Sequence, residues 1–205
     1  MKTQNSACMV AYSFYESDNR VRRYAETLVQ AGYAVDAFAL RQPGQARRET
    51  INGVRVYRIQ KRRINEKGRL AYLFRLLAFF ATSSCWLVWM HIRRHYRLIH
   101  VHSVPDFEVF AAVIPKLFDA RVILDIHDLV PEFYIDKFQV RPDSLLVRAL
   151  KLTERLCCRF SDHVIVSNDL WREQLIARSV PPSRCTTILN YPVPLFFEQQ
   201  SRVAS

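Results

Sequence analysis

The chain has 205 residues, half of them hydrophobic, with 30 Lys/Arg against 19 Asp/Glu and a formal net charge of +11. That is enough apolar material for one ordinary packed domain and excludes a disordered chain. Four glycines are few for the clustered loops that cradle nucleotide phosphates, and five cysteines without a C-x-x-C pair indicate reduced thiols in a cytoplasmic chain.

The N-terminus is polar up to Cys8 and lacks the long apolar core of a signal peptide. A first strand is expected at 9–12, then a helix at 20–30 capped by Asp18 or Asn19 and closed by Gly32. Strands are expected at 34–40 and, from clean alternation, at 54–59, with 44–49 read as loop. A long segment from Leu70 to His95 follows. Next come a strand at 98–102 and a helix at 106–118, begun by Pro105 and bent or ended at Pro115. A strand at 122–126, a helix at 142–160 with Asp143 in its first turn, a strand at 163–166, a helix at 169–178 and a strand at 186–189 complete the series. This alternation predicts a Rossmann-like, doubly wound α/β domain over residues 1–192, with a mostly parallel seven-stranded sheet and a tail at 193–205. Ligands of such sheets sit beyond the carboxyl ends of the strands, near the switch point.

The positive charge is localised. Fourteen Lys/Arg and only two acids, Glu49 and Glu66, fall between Arg41 and Arg97, and the rest of the chain is close to neutral. This implies a local anionic partner. Within that region Leu70 to Met90 carries a single charge, Arg75, flanked by Arg62, Arg63, Lys67 and Arg69 on one side and Arg93 and Arg94 on the other. The stretch is long enough to cross a bilayer, since ~20 apolar residues suffice. Yet Arg75 near the middle costs roughly 2.5–3.5 kcal/mol, and the flanks show no charge asymmetry. The strands before and after it must also join one sheet. A plain core helix leaves too many large apolar residues for one buried face. The expected arrangement is a helix with one face in the domain and the other on an anionic membrane surface, where Trp86 and Trp89 join the basic flanks. A basic stripe with aromatics could also meet nucleic acid, but the apolar run has no role on a phosphate backbone and no nucleic-acid motif is present.

Polar residues gather after the expected strands: Asn19 and Arg20 after the first, His102 and Asp106 after the fourth, His127, Asp128 and Glu132 after the fifth, Asn168 after the sixth and Asn190 after the seventh. On a doubly wound sheet they converge on one crevice. Asp128 and Glu132 read equally as general-base candidates or helix-start acids. His100 and His102 share a strand face, but no third convergent ligand is evident. Asp125 to Asp128 is D-x-x-D rather than D-x-D, so no metal is expected.

Four stretches in order, Leu98–Asp106, Val122–Asp128, His163–Asn168 and Thr187–Pro192, make the chain resemble the N-terminal, acceptor-side domain of GT-B fold retaining glycosyltransferases of the family-4 type. That group includes bacterial cell-envelope and lipopolysaccharide enzymes. The resemblance implies that this domain binds the acceptor, that a second domain binds the nucleotide sugar, and that transfer occurs between them. It implies that His127 is catalytic, contacting the transferred sugar, and that the other strand-end residues bind the acceptor. Two departures stand out. The loop from Ser13 to Arg20 lacks the usual glycines, although Asn19 and Arg20 at a helix start could hold an anion. No two glutamates stand in the E-x7-E spacing of the family's donor site. No cofactor is therefore expected here, and the nucleotide sugar is assigned to a C-terminal-type domain on a separate chain or lost by truncation. The expected function is the acceptor-binding half of a membrane-associated glycosyltransferase acting on a cell-envelope glycan or lipid-linked acceptor. The expected location is the cytoplasmic face of the plasma membrane, as a peripheral protein. The alternatives are a non-catalytic acceptor-binding or membrane-recruiting subunit, or an inactive fragment.

Overall fold

A computed structural model describes residues 5–62 and 69–190, with side chains in the long helix from residue 71 onward. Its strands are β1 (Ser6–Ala11), β2 (Ala34–Arg41), β3 (Arg48–Ile51), β4 (Val54–Lys61), β5 (Leu98–His102), β6 (Arg121–Ile126), β7 (His163–Val166) and β8 (Cys185–Thr187). They form one sheet in the order β3-β4-β2-β1-β5-β6-β7-β8, parallel throughout except for β3 against β4. The doubly wound, mostly parallel sheet is as expected, with one strand more than the seven read from the sequence. The extra strand belongs to a hairpin closed by Asn52-Gly53, both at positive φ (48° and 82°), the backbone that a two-residue turn requires.

The central strands are buried on both faces. In β1, Ala7, Met9 and Ala11 pack with α1 (Asn19–Gln30), while Cys8 and Val10 join the larger core built by α2 (Arg69–Arg94), α5 (Leu145–Phe160) and α6 (Asp169–Arg178). Asp18 caps α1 by accepting a hydrogen bond from Val21 N at 3.1 Å. Ser144 caps α5 in the same way, so that helix starts later than residue 142. Asp143 lies outside its first turn and pairs with Arg141. The helix expected at 106–118 is split into a 3-10 stretch, Asp106–Ala112, and the short α3 (Val113–Leu117). Pro115 falls in the first turn of α3, where a missing N–H leaves no bond unmade. A further helix, α4 (Val130–Phe138), has no counterpart in the sequence reading.

β4 and β5, which flank α2, belong to one sheet with β2 and β1 between them. α2 therefore lies along the sheet and does not cross a bilayer. It packs through Leu76, Phe79, Leu87 and Met90, yet its outer side exposes Leu73, Phe74 (70 %), Leu77 and Ile92 (67 %). By length and hydropathy its segment Ala71–Arg94 qualifies as a membrane span, and 28 % of its apolar 18-residue window is buried in the domain.

Candidate active site

Chain order runs outward from β1 in both directions, through β2 and β4 on one side and through β5 to β8 on the other. The switch point therefore lies between the carboxyl ends of β1 and β5, where this architecture places ligands. Register sets His102 of β5 beside Ala11 of β1 and beside Asp125 of β6. With period-two alternation, His100, His102 and Asp125 all point to the α1 side of the sheet.

Arg20, in the first turn of α1, reaches Asp125 with two parallel N–H donors, Nε to Oδ2 at 2.8 Å and Nη2 to Oδ1 at 2.5 Å. Its third nitrogen donates to Ile188 O at 3.3 Å. Both members of the pair are buried. His102 Nδ1 lies 3.2 Å from Asp125 Oδ2 and His127 Nε2 lies 3.5 Å from it, while the two rings approach at 3.3 Å. Burial pushes the Asp125 carboxyl up, but the hydrogen bonds from His102, His127 and Arg20 outweigh it and hold the group well below the usual carboxylate range. His100 and His102 are held below the ordinary imidazole value, first by burial, and in His100 also by the neighbouring His102. Tyr24 of α1 covers both rings, with centroids 5.0 and 6.0 Å away. The result is a buried, neutral imidazole pair around a fixed carboxylate.

His127 follows β6 and is the member that reaches solvent, with 24 % of its side chain exposed. Its backbone N–H donates to Ser103 Oγ at 3.1 Å. It stands on the wall shared by two adjoining hollows, of about 480 and 190 Å3. Asn19, Arg20 and Asn190 line the larger one, with Ser13, Asp18 and Arg62. His102 and Asp128 line the smaller one. Asp125 Oδ2, 3.5 Å from Nε2, sets the orientation of the His127 ring. The site can thus bind and orient a hydroxyl-rich ligand through one exposed imidazole braced from behind. A larger hollow of about 610 Å3 lies between the β3–β4 hairpin and α2. It holds none of these groups, and the switch-point geometry decides for the region around His127.

Three ligand-type atoms, from His100, His102 and Asp125, lie within 4.8 Å of one another. Asp125 is the third convergent residue that the H-x-H pair lacked in the sequence. The donor set does not suit a divalent ion, because Arg20 occupies both carboxylate oxygens and sets a positive charge there.

Other expected site residues are placed elsewhere. Glu132 gives both oxygens to Arg178 at 2.5 and 2.8 Å, and although burial pushes its carboxyl up, that pairing brings it below its ordinary value. With Asp128 it lines a separate hollow beside α4, of about 380 Å3. Asn168 caps α6 through Trp171 N at 2.8 Å. Asp106 is buried, one oxygen without a hydrogen-bond partner, and burial together with nearby Glu154 pushes its pKa up to about 7. Of the membrane-surface set, Arg62 leans over the rings of Tyr12 and Tyr72 at the cleft, and Trp86 packs between Phe38 and Tyr57. Neither faces outward as expected, because each finds an aromatic partner on the domain. Trp89 is exposed under Arg93, at 4.0 Å, and Arg94 turns toward Asp36. Arg63 and Lys67 lie outside the described residues, as does the side chain of Arg69.

Asp125 is the residue that sequence reasoning passed over. An acid inside the otherwise apolar run Val122–Ile126 signals a buried charge that must be paired.

Residues 17–190 match the family described as the glycosyl transferase 4-like domain. The chain belongs to this family. A search of curated proteins finds no match. Among solved structures, it resembles sucrose-phosphate synthase from Thermosynechococcus elongatus at 18 % identity and a TM-score of 0.66, over 97 % of this chain and 53 % of that one. It is also similar to Phytolacca americana UGT2 complexed with UDP-2-fluoro-glucose and pterostilbene, at 10 % identity and a TM-score of 0.57, over 94 and 55 % of the two chains. Anabaena HepE in complex with UDP-glucose aligns at 14 % identity and a TM-score of 0.53, over 97 and 50 %. At these identities the likeness shows the fold, one half of the GT-B architecture. The chain spans about half the length of each of these three structures.

Proposed function

We propose that this family-4-like domain is the acceptor-binding half of a membrane-associated glycosyltransferase, moving a sugar from a nucleotide sugar to a lipid-linked acceptor or cell-envelope glycan. The observation that carries the reading is His127, partly exposed beside the switch point and braced by Asp125. In this reading an acceptor hydroxyl lies in the hollow beside His127, and a second domain brings the nucleotide sugar over it. Two of the similar structures hold a UDP-sugar, which supports that donor class. The test is sugar transfer to candidate acceptors by this chain with and without a donor-side domain. Transfer that needs both parts, and that drops about a hundredfold in His127→Ala, is the expected result, the scale on which one positioned polar group acts. Full turnover by this chain alone, or an unchanged rate in the variant, contradicts the reading. Acceptor binding that survives in a partnered but inactive protein points instead to a non-catalytic recruiting subunit.

Peripheral attachment at the cytoplasmic face of the plasma membrane is the second part of the proposal. It is supported by the outward row Leu73, Phe74, Leu77 and Ile92 on α2, beside exposed Leu117 and Phe118 after it in the fold. Phe74→Ser with Leu77→Ser is expected to weaken binding to anionic vesicles by at least about tenfold, since burying one such side chain is worth roughly 1.5–3 kcal/mol. Both positions are exposed, so folding is spared. Unchanged flotation with vesicles removes this part.

A further inference from the structure

The hollow of about 610 Å3 between the β3–β4 hairpin and α2 has a composition that the cleft does not explain. Its lining includes the aromatic side chains of Tyr57, Trp86 and Trp89. Its rim carries Arg41 from the end of β2, Arg47 and Arg48 from the start of the hairpin, Lys61 from the end of β4, and Arg93 and Arg94 from the end of α2. Four chain segments thus deliver cations to one concavity. The nearby acids are already engaged: Glu16 and Glu49 by Arg58, and Asp36 by Arg55 and Tyr96. Among the described residues, Arg41, Arg47, Arg48, Lys61 and Arg93 form no ion pair. Cations gathered around a shared space repel one another unless an anion lies between them.

We propose that this hollow binds the phosphate monoester head group of an anionic lipid. A monoester carries more than one negative charge and three acceptor oxygens, which suits several convergent guanidinium groups. A singly charged diester leaves most of them unused. The lipid source follows from position. Trp89 lies half in the hollow and half in solvent, one turn before exposed Ile92, so an apolar surface begins where the basic rim ends. The inference rests on the peripheral reading above and names the lipid chemistry that the reading leaves open.

The experiment is vesicle flotation of the whole chain at matched surface charge, with either phosphatidic acid or phosphatidylglycerol in a phosphatidylcholine background. Inorganic pyrophosphate in solution, titrated by calorimetry, is the soluble arm. Wild-type protein is expected to prefer phosphatidic acid by about tenfold, and Arg47→Gln with Arg48→Gln to abolish that preference, at about fivefold per lost cation. Arg93→Gln, on a different element, should reduce the preference too, and guards against misfolding of the hairpin. Equal binding of both lipids by wild-type protein, or a preference that survives these substitutions, overturns the head-group site while the peripheral reading stands. Pyrophosphate binding with no flotation on either lipid overturns the lipid source and the peripheral reading together. Tighter binding of a single-stranded oligonucleotide than of phosphatidic acid vesicles also overturns the proposal.

Discussion

Arg20→Met is expected to destabilise the domain by about 3–5 kcal/mol, the range seen when one partner of a buried ion pair is removed. Asp125 is fully buried, and Arg20 supplies two of its donors. Methionine fills similar space and leaves the carboxylate facing two imidazoles that burial keeps neutral. Arg20→Lys should recover little, because an ammonium cannot present the paired N–H fork. Combining Arg20→Met with Asp125→Asn should restore much of the loss, since no charge is then stranded. Urea unfolding of the four proteins reads this directly. If Arg20→Met alone unfolds at the wild-type midpoint, the pair does not hold the sheet to α1. If the double variant is no better than the single one, the stranded charge is not the cause.

Glu108→Gln is expected to stabilise the protein at pH 8 by about 2–4 kcal/mol and to leave it nearly unchanged at pH 4. Glu108 is completely buried, and burial pushes its carboxyl up to about 8, against the pull of its hydrogen bond from Ser83. The unfolded chain releases that proton near the ordinary value of about 4.3. Between these two values the folded state holds a proton that the unfolded state has lost. The contribution of Glu108 to stability therefore falls as pH rises, by up to roughly 1.4 kcal/mol per unit, and is flat below the lower value and above the upper one. Glutamine keeps an acceptor for Ser83 and removes the titration. Asp106, raised to about 7, adds a slope of the same sign and steepness over a shorter window, so the variant should retain a fall that ends near pH 7. Identical pH profiles for wild-type and variant proteins would mean that Glu108 is ionised in the fold.

Much of this architecture can be read from local pattern alone. Strand and helix alternation is visible because each strand is a short apolar run between polar strand ends, as in Leu98–His102 and Val122–Ile126. The hairpin was within reach too: Asn52-Gly53 between Ile51 and Val54 is a strong turn signal, but the charged residues Arg48 and Glu49 read as loop. α4 is nine residues long and opens on Val130-Pro131, so neither periodicity nor a side-chain cap marks it. The candidate site was legible as a set of strand ends, which is how His127, Asn19 and Asn190 come to line one hollow. Its internal order was not. The partner of Asp125 lies 105 positions away, and Asn168 after β7 and Glu132 in the first turn of α4 are claimed by a helix cap and by Arg178. Such pairings depend on which side chains the tertiary fold brings together, and local pattern carries no trace of that.

The third hydrogen bond of Arg20 ties distant parts of the chain into one mechanical unit. The same planar group that grips Asp125 also holds Ile188 O, and its neighbour Arg23 holds Leu189 O at 3.3 Å. A rigid fork cannot follow two masters that move apart. Displacing the backbone just past β8 therefore strains the 3.3 Å contact or the paired grip on Asp125 that stands behind His127. The edge strand β8 is thereby tied, through Arg20 and Asp125, to the histidine that follows β6.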